Sequence, residues 1–541
     1  MQRKITKFIA VFCAAATLLC CTGCEGRSSA DPLDSVLAST GGKDVEKAAA
    51  ADNVFSLNSN SKYSLNPMIA TNHSNQLICS LVYENMVELD NNFNVIPNLV
   101  TGWTCSEDGK SWVFDIDTTH TFHDGTQVTG NDLRLSLEYA INTDRYRGRF
   151  NSIAGVTYSD DKLYVTLGKA NTQFVKLLNI PVMKRGTFGD KHPIGSGPYT
   201  YNEDGTQLLA YTGHNGYDSL PVDVIYIQEY QTADSIINAF ENSLIDIVLN
   251  DPSSYTNLGY ASTNETRTFA TTNMHYVAFN EESTLGRYSN VRVALSFAFD
   301  RAYFAEELMK GNGVASTVPM YPTCADYPTT YANSLNYDME KCRLILENFG
   351  IQDYDGDGKL EFMNGSPQEI EMRFILCSDS SAKAGVARRF ADSMASIGFT
   401  ITVEELAWSD YLTALEEGNF DMYYGEVKLR NDFDLTELLE VKTKDNEAYC
   451  LNYTGSTDKS FETYIDQYLA AGSVSASYGE YDMERASAFV NLCKYLGDTG
   501  SLITIGFEKQ QIISHRGVIK GVNPNMGNPL YGFPGWEIDL D

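Results

Sequence analysis

The stretch formed by residues 83–137 constrains the fold of this chain more than any other. An aromatic and β-branched run, residues 112–116, lies between two Asp-Gly pairs that begin at Asp108 and Asp124. Asp-Gly is a strong turn signal between strands, and the run has the composition that strands favour. Asn131 and Asp132 then supply an N-cap for a helix. The stretch therefore predicts strand, turn, strand, turn and helix, and no residue in it has the pattern of a catalytic group.

The N-terminus has the pattern of an export signal. Three basic residues within the first seven precede an apolar run, residues 8–20, which has signal-peptide length and is short for a membrane span. Small residues before Cys24 resemble a bacterial lipobox, which implies cleavage before Cys24 and diacylglyceryl attachment to its sulfur. Cleavage without lipid attachment is the alternative. Residues 24–51 then form a predicted flexible tether, so we expect an exported protein anchored to the outer face of the cell membrane.

Charge and cysteine content exclude several classes of protein. The 541-residue chain is long enough for two or three packed units, and its net charge of −31 argues against nucleic-acid binding, which needs clustered Lys and Arg. Eleven cysteines are present; the seven beyond the leader are scattered without CxxC spacing. They favour neither a zinc site nor a complete disulfide framework. We predict that Cys342 and Cys493, which lie on helical patterns, are small buried hydrophobic residues.

Helical and strand patterns alternate along the rest of the chain. Residues 222–250 read as strand, helix and strand, and a second alternating run spans residues 275–505, which indicates α/β units. Residues 75–90 have a helical pattern. Residues 505–541 are rich in Gly and Pro and predict a loop-rich tail.

Four separated motifs resemble the peptide/nickel family, family 5, of ABC-transporter substrate-binding proteins. They are a Leu-Asn-Pro turn at residues 65–67, the 83–137 stretch with its Phe-His-Asp-Gly turn, a Gly-Ser-Gly-Pro-Tyr turn at residues 195–199, and a Val-Arg…Asp-Arg helix at residues 291–301. The resemblance implies an α/β, two-lobed fold of the periplasmic-binding-protein type II kind, with an extra subdomain inserted in the first lobe. It also implies solute capture by hinge closure and delivery to an ABC permease with its ATPase subunits. We expect a monomer without enzymatic activity or a cofactor.

The resemblance also gives predicted domain boundaries. These are a signal peptide at 1–23, a tether at 24–51, lobe I at 52–82, 190–274 and 505–541, the inserted subdomain at 83–189, and lobe II at 275–504.

In the peptide binders of this family an Asp of the second lobe pairs with the α-amino group of the peptide. Asp432 is the best match to that acid, and Asp434 is the next. A ligand carboxylate would suit the guanidinium fork of Arg430. The alternative is that these charges line a solvated loop. Three further side chains complete the predicted ligand pocket: Glu426, Tyr276 and Trp408. For each of the two aromatic side chains, packing in the core is the alternative.

Two patterns could indicate metal binding. His120 and His123 have ligand spacing, but His123 belongs to the Phe-His-Asp-Gly turn, so we predict a structural role for it. Asp353, Asp355 and Asp357 are spaced like the opening of an EF-hand calcium loop, although position twelve lacks the bidentate Glu. We predict a solvated acidic turn there, with calcium binding as the alternative.

Peptide is the leading ligand, because main-chain hydrogen bonding with wet side-chain pockets would give broad specificity. Nickel chelates and oligosaccharides are alternatives within the family; sugars would demand aromatic platforms, for which the chain has four Trp and 33 Tyr. From other classes, a secreted hydrolase would need a nucleophile–base motif that the sequence does not show. A surface chaperone or sensor would bind ligand without a permease.

Overall fold

The computed structural model of the protein describes residues 54–146, 148–252, 264–473 and 479–540. In chain order, the strands of the described residues are β1 Phe55–Ser59, β2 Val87–Leu89, β3 Val95–Pro97, β4 Val100–Cys105, β5 Ser111–Ile116, β6 Ile153–Ser159, β7 Lys162–Leu167, β8 Tyr199–Tyr201, β9 Gln207–Ala210, β10 Val224–Glu229, β11 Ile247–Asn250, β12 Glu265–Phe279, β13 Gly313–Ala315, β14 Ile351–Gln352, β15 Glu361–Asn364, β16 Ser366–Glu369, β17 Glu371–Cys377, β18 Thr400–Leu406, β19 Met422–Lys428, β20 Ile503–Ser514, β21 Ile519–Lys520 and β22 Glu537–Ile538. The α-helices are α1 His73–Val82, α2 Gly130–Ile141, α3 Ala233–Glu241, α4 Ser289–Ser296, α5 Arg301–Tyr303, α6 Thr329–Asn333, α7 Met339–Phe349, α8 Ser381–Ala395, α9 Trp408–Glu416, α10 Thr436–Leu439, α11 Ser460–Ala470 and α12 Met483–Thr499.

Two long antiparallel strands, β12 and β20, form the centre of the main sheet. The strand order is β18-β17-β19-β12-β20-β11-β1-β10-β9-β8, and β13 adds to β20. The second half of β12 pairs with β19, whereas the end of β20 pairs with β11. Each long strand therefore continues from one lobe of the α/β fold into the other.

The ladder between β12 and β20 is irregular where the two lobes meet. Its register shifts between Ala270 and Met274, and again after His275. Within the first interruption the backbone N–H of Leu429 donates to the carbonyl of Thr272 at 3.0 Å. Irregular pairing of this kind bends a strand and increases its twist locally. It lies at the point along β12 where pairing with β19 begins.

The predicted tail is wrong for its first ten residues. Residues 505–514 belong to β20, whose side chains Ile505, Phe507 and Ile512 are buried. The apolar contacts of these side chains stabilise the strand. The Gly and Pro residues favour loops only after β20 ends at Ser514. The predicted lobe boundaries at 274/275 and 504/505 fall inside β12 and β20; the boundaries themselves stay predictions.

The hairpin predicted around residues 112–116 is confirmed. β5 lies in a four-stranded antiparallel sheet with order β4-β5-β7-β6. Gly109, with φ of 69°, makes the turn from β4 to β5 possible, because that backbone conformation is costly for residues with a Cβ. Trp112 and Phe114 are buried beneath it with ring centroids 5.5 Å apart. The following helix, α2, begins earlier than predicted, with Thr129 as its N-cap; Thr129 N–H donates to the Asp132 carboxylate at 3.1 Å.

The helix predicted over residues 75–90 is too long. α1 ends at Val82, and residues 87–89 instead form β2, which pairs with β3. Between them, Met86 N–H donates to the carbonyl of Ile180 at 2.9 Å. Hydrogen bonds to backbone that is distant in sequence replace the helical hydrogen bonds here. The spacing of apolar residues along the chain does not predict such partners.

The seven cysteines beyond the leader are all described and all free. Cys342 and Cys493 are buried, as predicted. Within the described part of the chain, no helix has both the length and the apolar character that a bilayer crossing requires. The predicted signal peptide, the tether and Cys24 lie outside the described residues.

Candidate functional site

A cavity of about 210 Å³ lies beside the irregular part of β12. Its walls come from several parts of the chain: Pro67, α1 and the residues after it, the segment around residues 145–149, Asn179 and Pro181, Leu249 of β11, the middle of β12 with Gln510 of β20, the end of β19 with the segment that follows it, and residues 526–529. The cavity therefore meets both lobes and the strands that join them. Clefts in such positions are preferred sites for small ligands.

Three amide side chains on the cavity wall converge on one buried carboxyl group. Asn85, Asn179 and Asn528 each donate to Glu88, at 3.0, 3.4 and 3.1 Å. Burial raises the pKa of Glu88 to about 7, against the effect of these hydrogen bonds and with help from the charge of Glu84. Because Glu88 holds all three amides, this wall presents polar groups in fixed positions.

The cavity is also strongly basic. Among the described residues, four cationic side chains line it, together with a single carboxylate, Glu437: Arg145, Arg149, Lys428 and Arg430. The guanidinium of Arg149 lies over the rings of Tyr146 and Phe150, 5.4 and 5.6 Å from their centroids. These contacts hold the charge in place without neutralising it.

Lys428 is the last residue of β19, and part of its side chain is exposed to solvent. Desolvation of its ammonium group, and then the positive charges of Arg145 and Arg149, lower its pKa to about 8. Charges of one sign held this close disfavour protonation. The cavity can therefore stabilise negative charge in whatever occupies it.

Arg430 is the one predicted ligand residue on the wall of this cavity. Its guanidinium pairs with Asp434 at 2.6 Å and with Glu437 at 2.9 Å. Asp434 also accepts a hydrogen bond from the backbone N–H of Thr436, the first residue of α10, at 2.9 Å. Arg430 and Asp434, which were both predicted to bind the ligand, therefore form an ion pair with each other.

Asp432, the predicted partner of a ligand amine, is fully buried away from the cavity. Its carboxylate accepts hydrogen bonds from the side chain of Asn171 at 2.8 Å and from the backbone N–H of Asp434 at 3.2 Å. Burial and the charge of Asp434 raise its pKa. In this conformation its partners are internal, and its role as a ligand residue stays a prediction.

The other three predicted residues lie elsewhere than on this cavity's wall. Tyr276 is buried against Gly425 and contacts Tyr423 edge to face, with centroids 5.9 Å apart. Trp408, at the start of α9, is 60% exposed. Glu426 pairs with Lys383 at 2.7 Å. Side-chain alternation along a strand orients Tyr276 and Glu426, and the position on a helix orients Trp408. A match to a sequence motif does not reveal these orientations.

The sequence analysis missed Arg145, Arg149 and Lys428. A signal was available for the first two, because Arg145, Arg147 and Arg149 fall within five residues of a chain whose net charge is −31. Lys428 had no such signal, since its neighbours along the chain give no indication that β19 ends beside two arginines.

The structural role predicted for His123 agrees with its contacts. Its Nε2–H donates to the carbonyl of Gly197 at 3.0 Å, and burial lowers its pKa to about 4. His120 instead donates from Nδ1 to Glu84 at 3.0 Å. The two rings therefore have separate partners.

The acidic turn at residues 353–361 gathers four carboxylates. Oxygens of Asp353, Asp355, Asp357 and Glu361 lie within 4.8 Å of one another. Asp353 accepts from two backbone N–H groups of the turn, at 2.6 and 3.0 Å. The turn leads from β14 to β15 and so lacks the two helices of an EF-hand. Calcium binding here stays a prediction.

Comparison with known proteins gives a consistent result. The family model described as "Bacterial extracellular solute-binding proteins, family 5 Middle" matches residues 94–438, more than half of the chain. The oligopeptide-binding protein AppA of Bacillus subtilis is 21% identical over 444 residues, which cover 78% of each chain. The nickel-binding periplasmic protein of Escherichia coli is 24% identical over 509 residues, which cover 88% of this chain and 91% of that protein.

The fold has solved counterparts as well. The crystal structure of NikZ from Campylobacter jejuni in complex with Ni(L-His) superposes with a TM-score of 0.65 at 16% identity. The match covers 90% of this chain and 99% of that one. The two-lobed α/β fold is therefore shared across nearly the whole length of the solved protein.

Proposed function

Because this chain belongs to family 5 of the bacterial extracellular solute-binding proteins, we propose that it captures short peptides in the cavity beside β12 and delivers them to an ABC permease. Closure of the two lobes would enclose the peptide, and opening at the permease would release it unchanged. The family consists of binding proteins, and we extend this to the chain: it performs no covalent chemistry.

One observation carries the proposal: the cavity lies where β12 and β20 pass between the lobes, and its walls include residues from both. Its amide groups, fixed by Glu88, and the adjoining β12 backbone suit hydrogen bonding to peptide groups of varied sequence. The name of the Bacillus subtilis relative, an oligopeptide-binding protein, supports peptide as the solute. We further propose that the protein is a monomer anchored through a lipid on Cys24.

The test is thermal unfolding and titration calorimetry of the mature protein with short peptides, after native mass spectrometry of whatever co-purifies. At a peptide concentration of 100 Kd we expect about 2.7 kcal/mol of stabilisation, with the peptide recovered intact. Ser80→Tyr, on the cavity wall, should abolish the effect. Ser409→Tyr, on the exposed face of α9, is the matched control and should not.

Two outcomes would contradict the proposal. One is cleavage of the peptides, which would indicate a hydrolase. The other is a purified protein that carries no solute and is stabilised by none.

A further inference from the structure

The side chains that line the cavity carry net positive charge, whereas the molecule as a whole is negatively charged. The chain carries −31 overall, yet four cations and one carboxylate line the cavity. Arg430 is neutralised by Asp434 and Glu437. Among the described residues, no carboxylate lies within ion-pair distance of Arg145, Arg149 or Lys428. Three cations that line the cavity therefore lack a salt-bridge partner among the described residues.

Each of these cations keeps hydrogen-bond donors available. Arg145 uses Nη1 for the carbonyls of Pro67 and Ala70, at 2.6 and 2.9 Å. Arg149 donates from Nη2 to the carbonyl of Asn179 at 3.3 Å, and within the described chain its buried Nε has no partner. A guanidinium carries five N–H donors, so most remain for a ligand. Both arginines are held by contacts that a ligand need not displace.

The three cations also lie close enough to affect one another electrostatically. The lowered pKa of Lys428 reflects desolvation of its ammonium group and repulsion from both arginines. Uncompensated like charges are typical of functional sites, where the missing counter-charge arrives with the ligand. A merely structural cluster would be expected to have internal counter-ions, as Arg430 has.

We propose that the solute carries at least two anionic groups, which bind to Arg145, Arg149 and Lys428. This inference rests on the proposed function and specifies its substrate class. Two sources share the chemistry: a peptide with acidic side chains, and a small polycarboxylate. Arginine pairs with carboxylate oxygens in a bidentate geometry, whereas Lys428 supplies a point charge.

The experiment measures affinity for three probes by calorimetry: triglutamate, citrate and trialanine. We expect triglutamate or citrate to bind at least about tenfold more tightly than trialanine, as charge-assisted hydrogen bonds predict. Binding of triglutamate alone identifies an acidic peptide, and binding of citrate alone identifies a small polycarboxylate. Equal or tighter binding of trialanine overturns the inference and leaves the proposed function standing. If no probe binds and mass spectrometry finds no bound solute, both fail.

Variants separate a ligand contact from a structural role. Lys428→Gln and Arg149→Gln should each weaken the anionic probe by at least about tenfold. Lys520→Gln and Arg388→Gln remove the same charges at exposed positions outside the cavity and should leave its affinity within about twofold. Without ligand, Lys428→Gln should raise the midpoint of thermal unfolding, because repulsion is relieved. Unchanged affinity in Lys428→Gln would overturn the inference.

Discussion

At the level of single residues, Glu88 has the most consequential position. It is 6% exposed and accepts hydrogen bonds from three amides of the cavity wall. It does not line the cavity itself, so its effect on a solute would pass through those amides. Its raised pKa near 7 means that its charge changes close to neutral pH.

The pH dependence of stability tests this assignment. The folded pKa of Glu88, about 7, exceeds its ordinary value of 4.5, so the folded state binds more protons than the unfolded state between those pH values. The contribution of Glu88 to the free energy of unfolding therefore falls as pH rises from about 4.5 to about 7, by about 3 kcal/mol. We expect the difference in urea-unfolding free energy between wild type and Glu88→Gln to fall by this amount across that window. A pH-independent difference would contradict the assignment, since other titrating groups cancel in it.

Among the secondary-structure elements, α1 shows why separated sequence motifs recur in a fixed order. The Gly-Ser-Gly turn lies against its C-terminal end, where a Cβ on Gly195 would come within 2.0 Å of the carbonyl oxygen of Val82. His123, from the Phe-His-Asp-Gly turn, donates its backbone N–H to the carbonyl of Gly195 at 2.9 Å. Two motifs that are seventy residues apart thus form one contact that fixes α1, and α1 in turn lines the cavity.

We expect Gly195→Ala to destabilise the protein by about 1–3 kcal/mol, because the methyl group would be forced into backbone. The matched control is Gly189→Ala, where a Cβ has no neighbour within 4 Å. That change should be neutral or should stabilise by about 0.4–1 kcal/mol through the unfolded chain. Urea unfolding of the three proteins measures both effects. Equal stability of the two variants would show that the close approach is not real.

For the whole molecule, β12 and β20 matter because each strand runs without a break through both lobes. The two lobes would therefore stay linked if they moved relative to each other. All described residues belong to one compact unit, residues 47–541. The irregular pairing at Thr271 and Thr272 lies in the shared strands and on the cavity wall. A bend at this point would therefore change the cavity more than it would change either lobe.

The proposed attachment to the membrane is a separate property of the whole protein. We expect Cys24→Ala to move the protein from the membrane fraction to the soluble exported fraction, because acyl chains on the Cys24 sulfur are the proposed anchor. Cell fractionation with immunoblotting measures this, and Cys13→Ala, within the apolar run of the leader, is the control. Retention of Cys24→Ala in the membrane fraction would contradict lipid attachment at this residue.

The sequence alone determined the α/β class, the β5 hairpin, several helices and the family, because turn chemistry, caps and apolar period are local properties of the chain. Asp338, for example, caps α7 and Gly350 ends it with φ of 94°, as the local sequence predicts. Only the tertiary structure decided that residues 87–89 and 505–514 are strands, since their hydrogen bonds go to distant partners. It also decided the cavity. Arg149 and Lys428 are 279 positions apart in the chain (428 − 149). Their positive charges act on each other only because folding brings the end of β19 to the segment after α2.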